Sequence, residues 1–250
     1  VDDVVRPFRI AVPDAVLDDL RARLRATRWP ERETVPDWSQ GVPLDYLREV
    51  CAYWADRYEW RAREAALNTF AQFTTVIDGL DLHFLHVRSR HQDAMPLALT
   101  HGWPGSIAEF AAVIGPLVDP PDPTDAFHVV CPSLPGFGFS GKPTATGWGV
   151  PRIADAWCTL MERLDYPRFA AHGGDWGAIV TSAIGEAHPD RLVGIHLTMP
   201  LAAPEPGDAD SEDPYAVAAL AARQRYRREG SGYSQQQSTR PQTIGYGLTD

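Results

Sequence analysis

Cysteine is scarce in this 250-residue chain: Cys51, Cys131 and Cys158 are far apart and lie in apolar stretches. An odd, dispersed set excludes a disulfide framework or a cysteine-based zinc site and makes a reducing, cytoplasmic compartment the expectation. Long hydrophobic runs are lacking too. No stretch approaches a membrane span of about 18 apolar residues, and the opening "VDDVVRPFRI" lacks the charged-then-apolar order of a secretory leader. A soluble protein without a membrane partner is expected. Positive charge is in short supply, with a formal net charge of -10 and a pI near 5.2. That balance argues against nucleic acid, which is bound through clustered Lys and Arg. The one basic stretch, "RARLRATR" (21 to 28), follows Leu17 and Leu20 and contains Leu24 at helical spacing, so its arginines fall on a solvated face. The length is enough to bury a large core without metals or disulfides.

Three regions follow one another. Residues 1–70 read as a helical region that wraps the core, with one helix from Pro13 and Asp14 to about "RWP" (28 to 30) and a second over 44–60. The second shows Leu44, Leu47, Val50, Cys51, Trp54 and Tyr58 at intervals of three and four. Over 71–199 the period shortens. "FTTVIDGLDLHFLHVRS" reads as a hairpin turning at Asp78 and Gly79. "MPLALTHG", "AFHVVCPS", "RFAAHGG" and "RLVGIHLTM" read as buried strands, alternating with helices over "SIAEFAAVIGPLV", "VPRIADAWCTLMERLD" and "GAIVTSAIGEAHP". This alternation indicates an α/β fold, a mostly parallel sheet with helices on both faces, which binds ligands beyond the carboxyl ends of its strands. Residues 200–250 open with the acidic, proline-rich "PLAAPEPGDADSEDP" and continue as the helical "AVAALAARQRYRREG", the start of a lid.

Three glycine-rich motifs sit at predicted strand ends. "GFGFSG" (136 to 141) matches the dinucleotide fingerprint, but no helix opens at its glycines to cradle a pyrophosphate, so a loop passing close to a pocket is the better account. "HGWPGS" (101 to 106) reads equally as a tight strand-to-helix turn capped by Ser106 or as a loop aiming the Trp103 N–H into a cavity as an oxyanion donor. "GGDWG" (173 to 177) is small-x-Asp-x-small between a strand and a helix, the pattern of a nucleophile elbow with Asp175 in the serine position. An ordinary helix N-cap would explain the acid but not the glycines on both flanks. A carboxylate suits displacement at a saturated electrophilic carbon, which leaves an alkyl ester for water to hydrolyse. The N–H groups of Trp103 and Trp176 would then stabilise the oxyanion of the second step.

Together with "RPFRI", "LRATRWP" and "GYSQQQSTRPQTIGYGLTD", these motifs resemble the microsomal-type epoxide hydrolases of the α/β-hydrolase superfamily, and the resemblance runs along the whole chain. It implies the α/β-hydrolase fold with an N-terminal helical extension and a helical lid, no metal or cofactor, and a small hydrophobic epoxide and water as reactants. It implies a cis peptide before Pro104, Asp175 as nucleophile, and Trp103 and Trp176 as backbone oxyanion donors, with Trp103, Pro104 and Trp176 against the substrate. Tyr233, in "SGYSQQQSTRP", maps to a lid tyrosine that donates to the epoxide oxygen as an alkoxide develops. On spacing alone Tyr233 reads equally as a surface residue. Family members continue through a second tyrosine, a strand-end acid and a late histidine that activates the hydrolytic water. The C-terminal part of the fold and these three groups are expected beyond Asp250; otherwise the chain forms the ester without releasing it efficiently. None of the eight histidines here fills that role, and each reads as buried or structural. Without a membrane anchor, the chain resembles a bacterial-style member. Nothing in the sequence decides between a monomer and a homo-oligomer.

Two other functions fit parts of this pattern. Haloalkane dehalogenation uses the same nucleophile but needs halide-binding side chains where "GYSQQQSTRP" stands. A non-catalytic scaffold would explain the missing histidine but has no use for a strained acidic elbow. Epoxide hydrolysis to a vicinal diol is the expectation.

Overall fold

The computed structural model describes residues 3–202, 207 and 212–249. Within the acidic stretch 200–214, residues 203–206 and 208–211 lie outside the described residues. The chain divides into two compact units, Val1–Pro200 and Leu201–Asp250. In the first, a short strand β1 (Arg6–Phe8) precedes α1 (Asp14–Arg25), α2 (Leu44–Asp56) and α3 (Trp60–Leu67). The expected hairpin joins β2 (Gln72–Ile77) to β3 (Leu80–Val87), with Asp78 and Gly79 both at positive φ, 52° and 76°, as a two-residue hairpin turn favours. Then come β4 (Met95–Thr100), a 3₁₀ turn over Ile107–Phe110 and α4 (Ala111–Val118). They are followed by β5 (Phe127–Pro132), α5 (Val150–Arg163), β6 (Phe169–Gly173), α6 (Trp176–Ala187) and β7 (Leu192–Leu197).

The seven strands form one sheet in the order β1-β2-β3-β5-β4-β6-β7. From β5 to β7 the pairings are parallel, and β1, β2 and β3 add antiparallel partners on the other side. Alternating side chains serve two cores. On one face α5 and α6 bury Trp157, Leu160, Met161, Val180 and Ile184 against Phe84, Ala98, Val130 and Phe169. On the other, Ile107, Phe110 and Ile114 pack on Leu85, Leu97, Leu99, Val129 and Cys131. Helices thus flank both faces, as the α/β-hydrolase fold requires. The second unit holds α7 (Pro214–Arg225), a wider π-type turn at Tyr226–Gly230, α8 (Gly232–Thr239) and α9 (Pro241–Thr249). Among the described residues no helix is long and apolar enough to cross a membrane.

Several expectations need correction. The first seventy residues are not helical throughout, because Arg6–Phe8 pairs antiparallel with Gln72–Thr74 as the sheet's edge, where Pro7 is tolerated. α1 stops at Arg25 rather than near Pro30, with Ala26 as its C-cap and the Thr27 hydroxyl donating to the carbonyls of Arg23 and Leu24 in the last turn. The helix expected over 44–60 is two helices: the Tyr58 N–H donates to the carbonyl of Tyr53, a widened turn that ends α2, and α3 starts at Trp60. Of its apolar stripe Leu44 is buried, whereas Leu47, Val50 and Trp54 are exposed. Val193 and Ile195 on β7, read as buried in the sequence, are 52% and 47% exposed among the described residues, where they line an open groove.

Candidate active site

β6 ends at Gly173 and α6 begins at Trp176, so Gly174 and Asp175 turn the chain between them. Asp175 sits at φ 51°, ψ -124°, a conformation that costs a non-glycine residue about 1–3 kcal/mol and persists only where the surroundings impose it. Those surroundings are backbone. A side-chain carbon on Gly177 would run into the Thr100 carbonyl, and one on Gly173 into the Gly177 carbonyl, so β4, β6 and α6 meet without side chains between them. The Asp175 carbonyl starts the helix, accepting from the Ala178 N–H at 3.0 Å. Its carboxylate makes no cap bond; Oδ1 accepts from the Trp103 N–H at 2.7 Å. An N-cap aspartate would turn onto the first helix amides instead.

The loop after β4 is held just as firmly. The Trp157 indole donates to Thr100 Oγ1 at 3.0 Å, and His101, fully buried, donates from Nδ1 to the Gly102 carbonyl at 2.9 Å. Its Nε2 accepts from the Leu134 N–H at 3.1 Å, so both ring nitrogens are engaged. Burial lowers the His101 pKa, more than the Gly102 bond raises it, which favours the neutral ring. The Trp103–Pro104 peptide is cis. Trp176 opens α6, so its N–H is one of the first amides, which have no acceptor within the helix. The first unit therefore brings together Trp103, Pro104, Asp175 and Trp176. Tyr233 lies in the second unit on α8, about half exposed.

A cavity of about 350 Å³ opens at Asp175, bounded by Gly102, Trp103, Pro104, Gly174 and Glu109. Glu109 escaped the reading of motifs. Glu109 is exposed, and partial desolvation and, secondarily, the Asp175 charge raise its carboxyl from the ordinary value. A larger apolar groove of about 850 Å³ lies over β4, β6 and β7, but neither Trp103 nor Asp175 lines it. His172 and His196 stack there across the β6–β7 pairing with their Nδ1 atoms 2.8 Å apart. The glycine-rich 136–141 loop closes on itself and on β3: the Gly136 N–H donates to the Gly141 carbonyl, and the Gly141 N–H to that of Asp81. No helix follows until Val150, so no pyrophosphate cradle forms. Among the described residues no group of three or more His, Cys, Asp or Glu is placed to hold a metal.

A sheet of this topology, with a strained acidic elbow after β6 facing a prolyl loop after β4, defines a hydrolase of the α/β class, and the model of the alpha/beta hydrolase fold matches residues 96–239. A second model, epoxide hydrolase N terminus, matches residues 5–110. A protein of Stigmatella aurantiaca named as an epoxide hydrolase is 54% identical over 250 residues, covering 98% of this chain and 57% of its own. The solved epoxide hydrolase of Aspergillus niger is 32% identical with a TM-score of 0.90, covering 100% of this chain and 67% of its own. The juvenile hormone epoxide hydrolase of the silkworm Bombyx mori is 29% identical with a TM-score of 0.90, covering 98% and 62%. The chain belongs to the epoxide hydrolase family. It spans 57% of the length of the Stigmatella relative.

Proposed function

We propose that the full-length protein opens a small hydrophobic epoxide to a vicinal diol through an alkyl ester on Asp175. The observation that carries this reading is the 2.7 Å hydrogen bond from the Trp103 N–H to Oδ1 of an aspartate at positive φ. It leaves Oδ2 as the attacking atom. As Oδ2 bonds to an epoxide carbon, the ring C–O bond breaks and its electron pair stays on oxygen, which takes a proton from the Tyr233 phenol. Oδ1 is then the ester carbonyl oxygen, already facing the Trp103 N–H. When water adds to Cγ the negative charge moves onto Oδ1, where the Trp103 and Trp176 N–H groups stabilise it. The name of the silkworm relative, a juvenile hormone epoxide hydrolase, supports an apolar epoxide as substrate. Free Cys51, Cys131 and Cys158 support a reducing, cytoplasmic location.

The test is intact-mass spectrometry of the full-length protein during turnover of styrene oxide, with diol measured in parallel. The expected result is a transient one-epoxide adduct that maps to Asp175. In Asp175→Asn, adduct and diol should both fall by at least about 10³-fold, in line with nucleophile removal elsewhere. Wild-type diol production by that variant, or an adduct on another residue, would reject the reading.

A further inference from the structure

We infer that Glu109 is a second catalytic carboxylate, one that holds the hydrolytic water against the Asp175 ester by accepting one of its hydrogens. The inference rests on the ester reading of Asp175. Both carboxylates line the same cavity of about 350 Å³. They lie against the two ends of one turn, closed by the Gly105 N–H on the Gly102 carbonyl at 3.0 Å. A side-chain carbon built on Gly102 would stand 2.6 Å from Asp175 Oδ1, and one on Gly105 would stand 2.5 Å from Glu109 Oε2. Glu109 follows Ser106 at the spacing of a capping box, whose glutamate reaches back to the cap amide. Here only half of that box forms. Ser106 Oγ accepts from the Ala108 N–H, while the Glu109 carboxyl has no hydrogen-bond or ion-pair partner among the described residues and faces the cavity.

The titratable groups around Glu109 are few. Asp175 faces it from the start of α6, Cys131 lies below it on β5, and His172 and His196 line the neighbouring groove. Each of these histidines is turned onto the other, and His101 has both nitrogens engaged. Glu109 is therefore the carboxylate acceptor available beside Asp175 among the described residues of the first unit. A neighbouring negative charge disfavours ionisation, so the Asp175 charge raises the Glu109 carboxyl and favours its protonated form. Esterification removes that charge. Glu109 then loses its proton to solvent and becomes an anionic acceptor in the half-reaction that needs one. The water oxygen bonds to Cγ, and one hydrogen stays bonded toward Glu109. The other leaves as a proton to an imidazole base of the kind the family resemblance assigns to a late histidine, and passes from it to the departing diol oxygen. When Asp175 is released as an anion, Glu109 regains its proton.

Rapid-quench intact-mass measurements on the full-length protein with styrene oxide separate ester formation from ester decay. In Glu109→Gln, formation should stay within about twofold of wild type and decay should slow by about 10²-fold or more, the low end for acid–base groups, so that the ester accumulates. Glu109→Asp should recover part of the decay rate. In the wild type, decay should slow toward acid pH as Glu109 takes up its proton, and Glu109→Gln should lose that limb. Ester decay at the wild-type rate in Glu109→Gln would overturn the inference, as would equal slowing of both steps with a lowered melting temperature, which marks a structural role. If the wild type carries no ester on Asp175, the nucleophile reading itself fails; an ester with unchanged decay removes Glu109 alone.

Discussion

Gly177 decides how close α6 comes to β4, and so where Asp175 stands. A methyl group there would press on the Thr100 carbonyl, and Thr100 is itself held by the Trp157 indole, so relief by a small shift is blocked. Gly177→Ala should cost at least about 1–3 kcal/mol, the range for forced overpacking, read as a lower urea midpoint with an unchanged slope. An unaltered midpoint would mean that the elbow has more room than its backbone contacts indicate. Asp175 could be recognised in the sequence because its flanking small residues have no other economical explanation. Glu109 could not, since Ser106 and Glu109 spell a helix-start signal, and that local pattern concealed a side chain aimed elsewhere.

The N-terminal elements are fastened by side chains rather than by an apolar stripe. From α3, Asn68 accepts from the Ile10 N–H at 2.9 Å and donates to the Ile10 carbonyl at 2.8 Å, while Glu64 accepts from the Val12 N–H at 2.7 Å. Ile10 is 2% exposed, so water cannot replace these bonds. Asn68→Ala should therefore destabilise the protein by about 1–3 kcal/mol and speed amide exchange around residues 10–17 ahead of the sheet. Uniform exchange across both regions would contradict that local role. Such couplings span 58 residues and leave no periodic trace, so the sequence shows only two plain helices in this region. The hairpin and the βα alternation were readable because period and turn residues agree there. The apolar residues of α2 repeat as a buried helix would, yet repetition does not say what covers a face, and Val50 and Trp54 remain exposed.

Across the whole molecule, folding withholds protons from buried imidazoles. His83 is bonded at Nε2 to Gln72 and at Nδ1 to Ser133, and burial pushes it down to about 4; burial, with Arg88 and His128 adding to it, lowers His86 to about 4 as well. In the unfolded chain both titrate near the ordinary value of about 6.5. Between these values the unfolded state binds more protons, so their contribution is complete above about 6.5 and declines as pH falls toward 4. Denaturant midpoints should be level above pH 7 and drop between pH 6.5 and 5, by at most about 1.4 kcal/mol per pH unit for each histidine. A midpoint that holds constant to pH 5 would contradict this assignment. The mostly parallel sheet and the place of the elbow between a strand and a helix followed from the alternation of strands and helices; the crossover that sets β5 between β3 and β4 did not, because alternation carries no record of which strands lie side by side. Across the β6–β7 pairing the His172 and His196 rings meet Nδ1 to Nδ1, and one hydrogen must lie between them. The ring that gives it keeps a bare Nε2 and the ring that receives it carries its hydrogen on Nε2. The pair therefore offers one acceptor and one donor side by side, a polarity that reverses only if the shared hydrogen changes rings and the Nε2 hydrogen is exchanged the other way through solvent.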